Sequence, residues 1–176
     1  MTSFTRFSCN DLFKFSAVNI DPFTETYSMS FYLSYLTKYS DYCLCAKSSL
    51  GRINSYMIGK AEGENELWHG HISAVTVGPE YRRMGLARHL CSWIEKMSNE
   101  DDCYFVDLFV RNSNKTAIDM YKKLGYDVYR TVLGYYHDRN GRENAFDMRK
   151  SLAKDLDKRS MVPLGRAITP DELEWR

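Results

Sequence analysis

The stretch from Trp68 to Ala87, WHGHISAVTVGPEYRRMGLA, restricts what this chain can fold into more than any other. It opens as an apolar run with β-branched residues Ile72, Val75, Thr76 and Val77, the pattern of a buried strand. Gly78-Pro79 stops that strand. Arg82-Arg83-Met84-Gly85-Leu86-Ala87 then leads into a helical pattern, with Leu86, Leu90, Trp93, Ile94 and Met97 on the helical period. A strand, a short basic turn and a helix start together form an anion cradle. The first-turn N–H groups have no intrahelical acceptor, and the helix dipole favours negative charge there. Gly85 and Ala87 leave the backbone open to a phosphate oxygen.

The spacing excludes two nucleotide sites, since the stretch holds neither GxGxxG nor GxxxxGK[ST]. A surface turn with solvated arginines stays open as the plainer reading. Arg82-x-x-Gly85-x-Ala87 after a β-branched strand resembles the pyrophosphate loop of the GNAT acetyltransferases.

The chain has 176 residues, 44% hydrophobic and 27% charged, the profile of one globular domain. A net charge of +1 gives no field that would draw it to nucleic acid or an anionic membrane. No apolar run is long enough to span a bilayer, and MTSFTRFSCNDLF lacks the apolar centre of a signal peptide. Five cysteines without framework spacing suggest reduced thiols and a cytoplasmic setting. Thirteen tyrosines are an excess that suits either an aromatic groove or a tyrosine-rich core.

Taken in order, the pattern predicts a short strand at Phe4–Ser8, then a helix from Asn10 or Asp11 through Val18. Asp21-Pro22 breaks it. A second helix carries Tyr32, Leu36 and Tyr39, with apolar residues on more than one face. Strands at Tyr42–Lys47 and Ile53–Glu62 form a hairpin. After the Trp68 strand and the Leu86 helix come a strand at Tyr104–Val110, an Asn114-capped helix stopped by Gly125, and strands at Tyr126–Leu133 and Ala145–Lys150. The expected class is α/β, a mixed sheet with flanking helices. Residues 1–150 make the domain; residues 151–176 are a C-terminal extension, a short helix and then an extended segment that is partner-docked or disordered.

Alternation along a strand puts His69, His71 and Ser73 on one face, as it does Cys43 and Cys45. An HxH facing a CxC suits zinc, but nothing in the sequence makes those strands neighbours, so no metal is expected. Cys91 and Cys103 have no histidine at an informative spacing and read as structural. Tyr121 lies beside its helix's apolar face. A phenol of pKa near 10 can protonate a departing thiolate of pKa about 8.5; a core tyrosine is the alternative.

DPFTETY, WHGH, RRMGLA, VDLFVRNSNKTAIDMYKKLGY, YRTVLGYY and DMRKSLAKD together resemble one branch of the GNAT superfamily, the catalytic subunits of the N-terminal acetyltransferase NatB. The resemblance runs through most of residues 1–160. It implies a GNAT fold, mostly antiparallel, and an acetyl-CoA cosubstrate along Val75 and Val77, with its diphosphate on Arg82, Arg83, Gly85, Leu86 and Ala87. Asn114 and Tyr121 would line the acetyl and pantetheine end, Tyr121 as general acid. Glu25, Tyr27 and Ser73 would form one side of the peptide groove, Tyr135 and Tyr136 the other. His71 would read the second substrate residue and is the other catalytic candidate. The implied reaction is acetyl transfer to nascent chains beginning Met-Asp, Met-Glu, Met-Asn or Met-Gln. It would run beside a large helical-repeat auxiliary subunit that reaches the ribosome, with no membrane or direct nucleic-acid partner. An α-amino pKa near 8, against about 10.4 for lysine, leaves a useful neutral fraction for direct attack. The competing readings are a GNAT acting on lysine or a small amine, and an idle acyl-CoA-binding or partner-binding module.

Overall fold

Period-two apolar runs become strands and period-3.6 runs become helices in a computed structural model that describes residues 2–20, 24–138 and 141–174. The order is β1 (Thr2–Arg6), α1 (Met29–Lys38), β2 (Leu44–Ser48), β3 (Ile53–Glu62), β4 (His69–Val77), α2 (Leu86–Glu100), β5 (Phe105–Arg111), α3 (Lys115–Lys123), β6 (Asp127–Asp138) and β7 (Gly141–Ser151). The strands form one sheet in the order β1-β2-β3-β4-β5-β7-β6. The pairs β1/β2, β2/β3, β5/β7 and β6/β7 are antiparallel. Two compact units divide the chain, Met1–Ala61 with Ile72–Met97, and Glu62–His71 with Ser98–Arg176.

The first unit is built on an aromatic core that includes Phe7, Leu12, Phe15, Val18, Tyr32, Leu36, Tyr56 and Ile58. The helix expected over residues 10–18 is instead two 3₁₀ turns, Cys9–Phe13 and Ser16–Asn19. Its buried residues, Leu12, Phe15 and Val18, recur every three positions, which matches 3.0 residues per turn and not 3.6. The Asp11 carboxylate caps the first turn by accepting from the Ser8 backbone and hydroxyl, and it pairs with Lys47 at 2.8 Å. Phe13 is 84% exposed, and Cys9 is the exposed member of five free cysteines. The Asp21-Pro22 break lies outside the described residues. Ser28 caps α1 by accepting from Phe31 N–H; the helix buries Tyr32, Tyr35 and Leu36 and leaves Met29 and Leu33 exposed.

In the second unit, Gly125 (φ +93°) ends α3 in the left-handed conformation that L side chains rarely adopt. β6 runs five residues past the expected Leu133, because Gly134 (φ +59°) sits in a β-bulge and not at a strand end; its N–H donates to Asn144 Oδ1 at 2.8 Å. Beyond β7 the expected short α-helix is replaced by isolated 3₁₀ turns at Arg159–Met161 and Pro170–Glu172. The Asp155 carboxylate organises the first of these by accepting from Arg159 N–H, Ser160 N–H and Ser160 Oγ. Ile168, 1% exposed, bridges to Val132, and Glu174 accepts two hydrogen bonds from Arg130. This segment is thus folded onto β6.

Candidate active site

In the first unit, β4 delivers the chain into the basic turn. Gly78 N–H donates to Asn54 O, the Pro79–Tyr81 3₁₀ turn follows, and Arg82 Nε donates back to Val77 O at 3.3 Å. Arg83 (φ +65°) and Gly85 (φ +80°) both take the left-handed conformation, which curls the backbone. A Cβ on Gly85 would meet nothing within 4 Å, so glycine serves this position through its φ. Gly85 O accepts from His89 N–H at 3.1 Å, the first bond of α2. The N–H groups of Leu86, Ala87 and Arg88 therefore have no helical acceptor. Buried Leu86 anchors the turn while Arg82 and Arg83 stay exposed, and Val75 and Val77 are half-buried.

The same unit joins Tyr27 to Ser73. The Tyr27 hydroxyl donates to Ser73 O at 3.0 Å, and Ser73 Oγ donates to the Tyr35 hydroxyl at 3.0 Å. Tyr27 stacks on Phe31 at 4.1 Å, and Phe31 packs on Tyr35 at 4.4 Å. Glu25 is half-buried. The tyrosine excess is in part this aromatic layer.

In the second unit, His71 is held by a residue the sequence reading missed. Its Nδ1 lies 2.7 Å from Oδ1 of Asp107, which is fully buried. Burial alone would raise the Asp107 carboxyl. His69, His71 with its hydrogen bond, and Arg149 outweigh it and hold the group below the usual carboxylate range. An ionised carboxylate only accepts, so His71 Nδ1 carries the proton. His69 is the mirror case: its Nδ1 donates to Leu67 O at 2.6 Å, its ring stacks on Phe105 at 4.7 Å, and burial pushes its pKa down. Asp147 is driven the other way, since burial and the charge of Asp107 raise its carboxyl against Arg149 and Arg130. The signal that could have found Asp107 is its place as the one charge inside the apolar run YFVDLFV, where a buried ion needs a partner.

An aromatic wall continues from His71. Phe109 lies 5.7 Å from its ring, Tyr135 stacks on Phe109 at 4.6 Å, and Tyr136 meets Tyr135 edge-on at 5.0 Å. Tyr136 donates to Phe109 O at 3.0 Å, and the Arg111 guanidinium sits 4.3 Å from its ring. Asn114 caps α3, its Oδ1 accepting from Ala117 N–H at 3.1 Å. Tyr121 is buried to 7% exposure and packs against Tyr126 at 5.8 Å. A cavity of about 360 Å³ against Tyr104, Phe105, Tyr129 and Arg149 is lined by none of the expected site residues.

The HxH motif does not meet the CxC. The Cys43 thiol is directed at Gly59 O and pushed up to about 11 by burial, while Cys45 contacts Thr5 and Asp11. Glu62, His69 and His71 do place possible ligand atoms within 4.8 Å of one another. His71 Nδ1 and Asp107 Oδ1, 2.7 Å apart, form a direct hydrogen bond beside them.

A β-strand that feeds a left-handed turn and an open helix mouth is an arrangement that suits an anionic group such as a diphosphate. The acetyltransferase (GNAT) family model matches residues 12–126. The N-terminal acetyltransferase B complex catalytic subunit NAA20 of Arabidopsis thaliana is 54% identical over 176 residues, covering 99% of each chain. The crystal structure of Chaetomium thermophilum Naa20 with a bisubstrate analogue matches at a TM-score of 0.90 and 40% identity, covering 96% of this chain and 97% of that one. A NatB acetyltransferase complex bound to a bisubstrate inhibitor matches at a TM-score of 0.85 and 38% identity, covering 97% and 98%. The chain belongs to the GNAT acetyltransferase family and, within it, to the NatB catalytic subunits: it is an acetyl-CoA-dependent N-terminal acetyltransferase.

Proposed function

We propose that residues 1–150 acetylate the α-amino group of nascent chains beginning Met-Asp, Met-Glu, Met-Asn or Met-Gln, with residues 151–176 as an extension of that domain. Val75 and Val77 guide the pantetheine, and Arg82, Arg83, Gly85, Leu86 and Ala87 hold the diphosphate. Asn114 and Tyr121 serve the acetyl end, and Tyr121 protonates the departing CoA thiolate. A strand N–H stabilises the oxyanion. Glu25, Tyr27, Ser73, Tyr135 and Tyr136 bind the peptide, and His71 reads its second residue. The observation that carries this reading is β4 itself. One strand bears His71 near its start and the half-buried valines at its end, then opens directly into the anion cradle.

The cellular setting proposed is the cytoplasm, where an auxiliary subunit brings the enzyme to the ribosome. No helix among the described residues is long and apolar enough to cross a membrane. Exposed Phe13 (84%), Ile20 (74%) and Met29 (50%), with Leu33, give the first unit apolar residues that a helical-repeat partner would cover. A panel of Met-Asp, Met-Leu and Ser-Ala peptides, with and without that partner, tests the whole reading. Thiol release should occur with Met-Asp and fall at least tenfold with the other two. Equal rates on all three, or transfer to lysine alone, would refute it.

A further inference from the structure

β6 is the last strand in the sheet order, and the C-terminal segment runs along its outer edge. Leu164 N–H donates to Tyr129 O at 3.0 Å, and Ile168 N–H donates to Thr131 O at 3.0 Å. Leu133 N–H donates in return to Ile168 O at 2.8 Å. Residues 129, 131 and 133 alternate along the strand, so their backbone groups share one edge. Glu174 accepts from Arg130 at 3.2 and 3.1 Å and ties down the far end of the segment.

This anchorage stops where β6 leaves its regular pairing with β7. Val132 faces Ala145 and Tyr136 faces Glu143, so Leu133, Gly134 and Tyr135 stand opposite Asn144 alone. A bulge frees the residues within it from the ladder and re-aims the side chains around it. Leu133 N–H is satisfied by Ile168 O, two residues before Tyr135. The Ile168 side chain, 1% exposed, joins Val132 and Ala145 in a small core, and Tyr135, Tyr136 and Leu173 pack against it. Resting on the peptide-binding role proposed for the two tyrosines, we infer that Ile168 is a positioning residue for the substrate: its carbonyl and side chain hold the bulged part of β6, and with it the Tyr135–Tyr136 pair, in the peptide-binding arrangement. It acts through those two rings.

Steady-state kinetics on a Met-Asp peptide, with the auxiliary subunit present, separate the two substrates. Ile168→Ala should raise the peptide KM about tenfold, because a small misplacement of a binding wall is costly. The acetyl-CoA KM should change less than about twofold, since Arg82 to Ala87 belong to the first unit. Ile168→Val keeps most of the buried volume and should behave nearly as the parent does. Leu173→Ala, at the partly buried rim of the same cluster, should raise the peptide KM by a smaller factor and carries the test if Ile168→Ala does not fold. A lower kcat with both KM values unchanged is the mark of a purely structural residue and would overturn the inference, as would an equal rise in both KM values. Tyr135→Ala and Tyr136→Ala test the reading beneath it. If neither raises the peptide KM, the wall itself is refuted. If they do and the Ile168 and Leu173 variants do not, only the positioning role falls.

Discussion

Tyr121 shows how much one side chain's surroundings decide its role. Seen along α3 it is a core residue, 7% exposed and packed on Tyr126. As the proposed acid it also has a hydroxyl whose loss should be felt in the chemical step and hardly in binding. Tyr121→Phe is expected to lower kcat by about a hundredfold or more, with acetyl-CoA affinity by calorimetry changed less than about threefold. Loss of acetyl-CoA binding would make it a packing residue instead. His71 was readable from the sequence as a strand histidine on one face with His69. Its Asp107 partner stands 36 positions away, and only the sheet order, which follows from long-range pairing, brings the two together.

At the level of elements, β4, α2, β5 and α3 were legible because their periods are strong and their ends carry Gly-Pro, Gly85, Asn114 and Gly125. Two features were not. A spacing of three is ambiguous between an α-helix and a 3₁₀ turn until the buried set is known, and Gly134 reads as a stop until its bulge is seen. Gly70 has a clearer structural reason. A Cβ there would lie 1.9 Å from Ser98 Oγ and 3.0 Å from Ser98 Cβ, so glycine lets β4 and α2 approach closely. Gly70→Ala should cost about 1–3 kcal/mol through overpacking. Chemical denaturation would show this as a lower midpoint, and Gly70→Ala combined with Ser98→Gly should recover much of it. An unchanged midpoint in the single variant would mean that the contact yields freely.

Over the whole molecule, composition was silent on the final segment. Ile168 and Glu174 find their partners, Val132 and Arg130, on β6, and neither pairing has a sequence period to announce it. The distribution of thiols has a practical consequence. Cys43, Cys45, Cys91 and Cys103 are buried, whereas Cys9 is exposed on the same 3₁₀ turn as Phe13. A maleimide dye should therefore couple once per native chain, beside the apolar residues proposed above to meet the auxiliary subunit. Mass spectrometry would count the adducts, and dye emission would report assembly without any engineered cysteine. Several adducts on the folded chain, or emission indifferent to the auxiliary subunit, would locate that subunit's seat elsewhere.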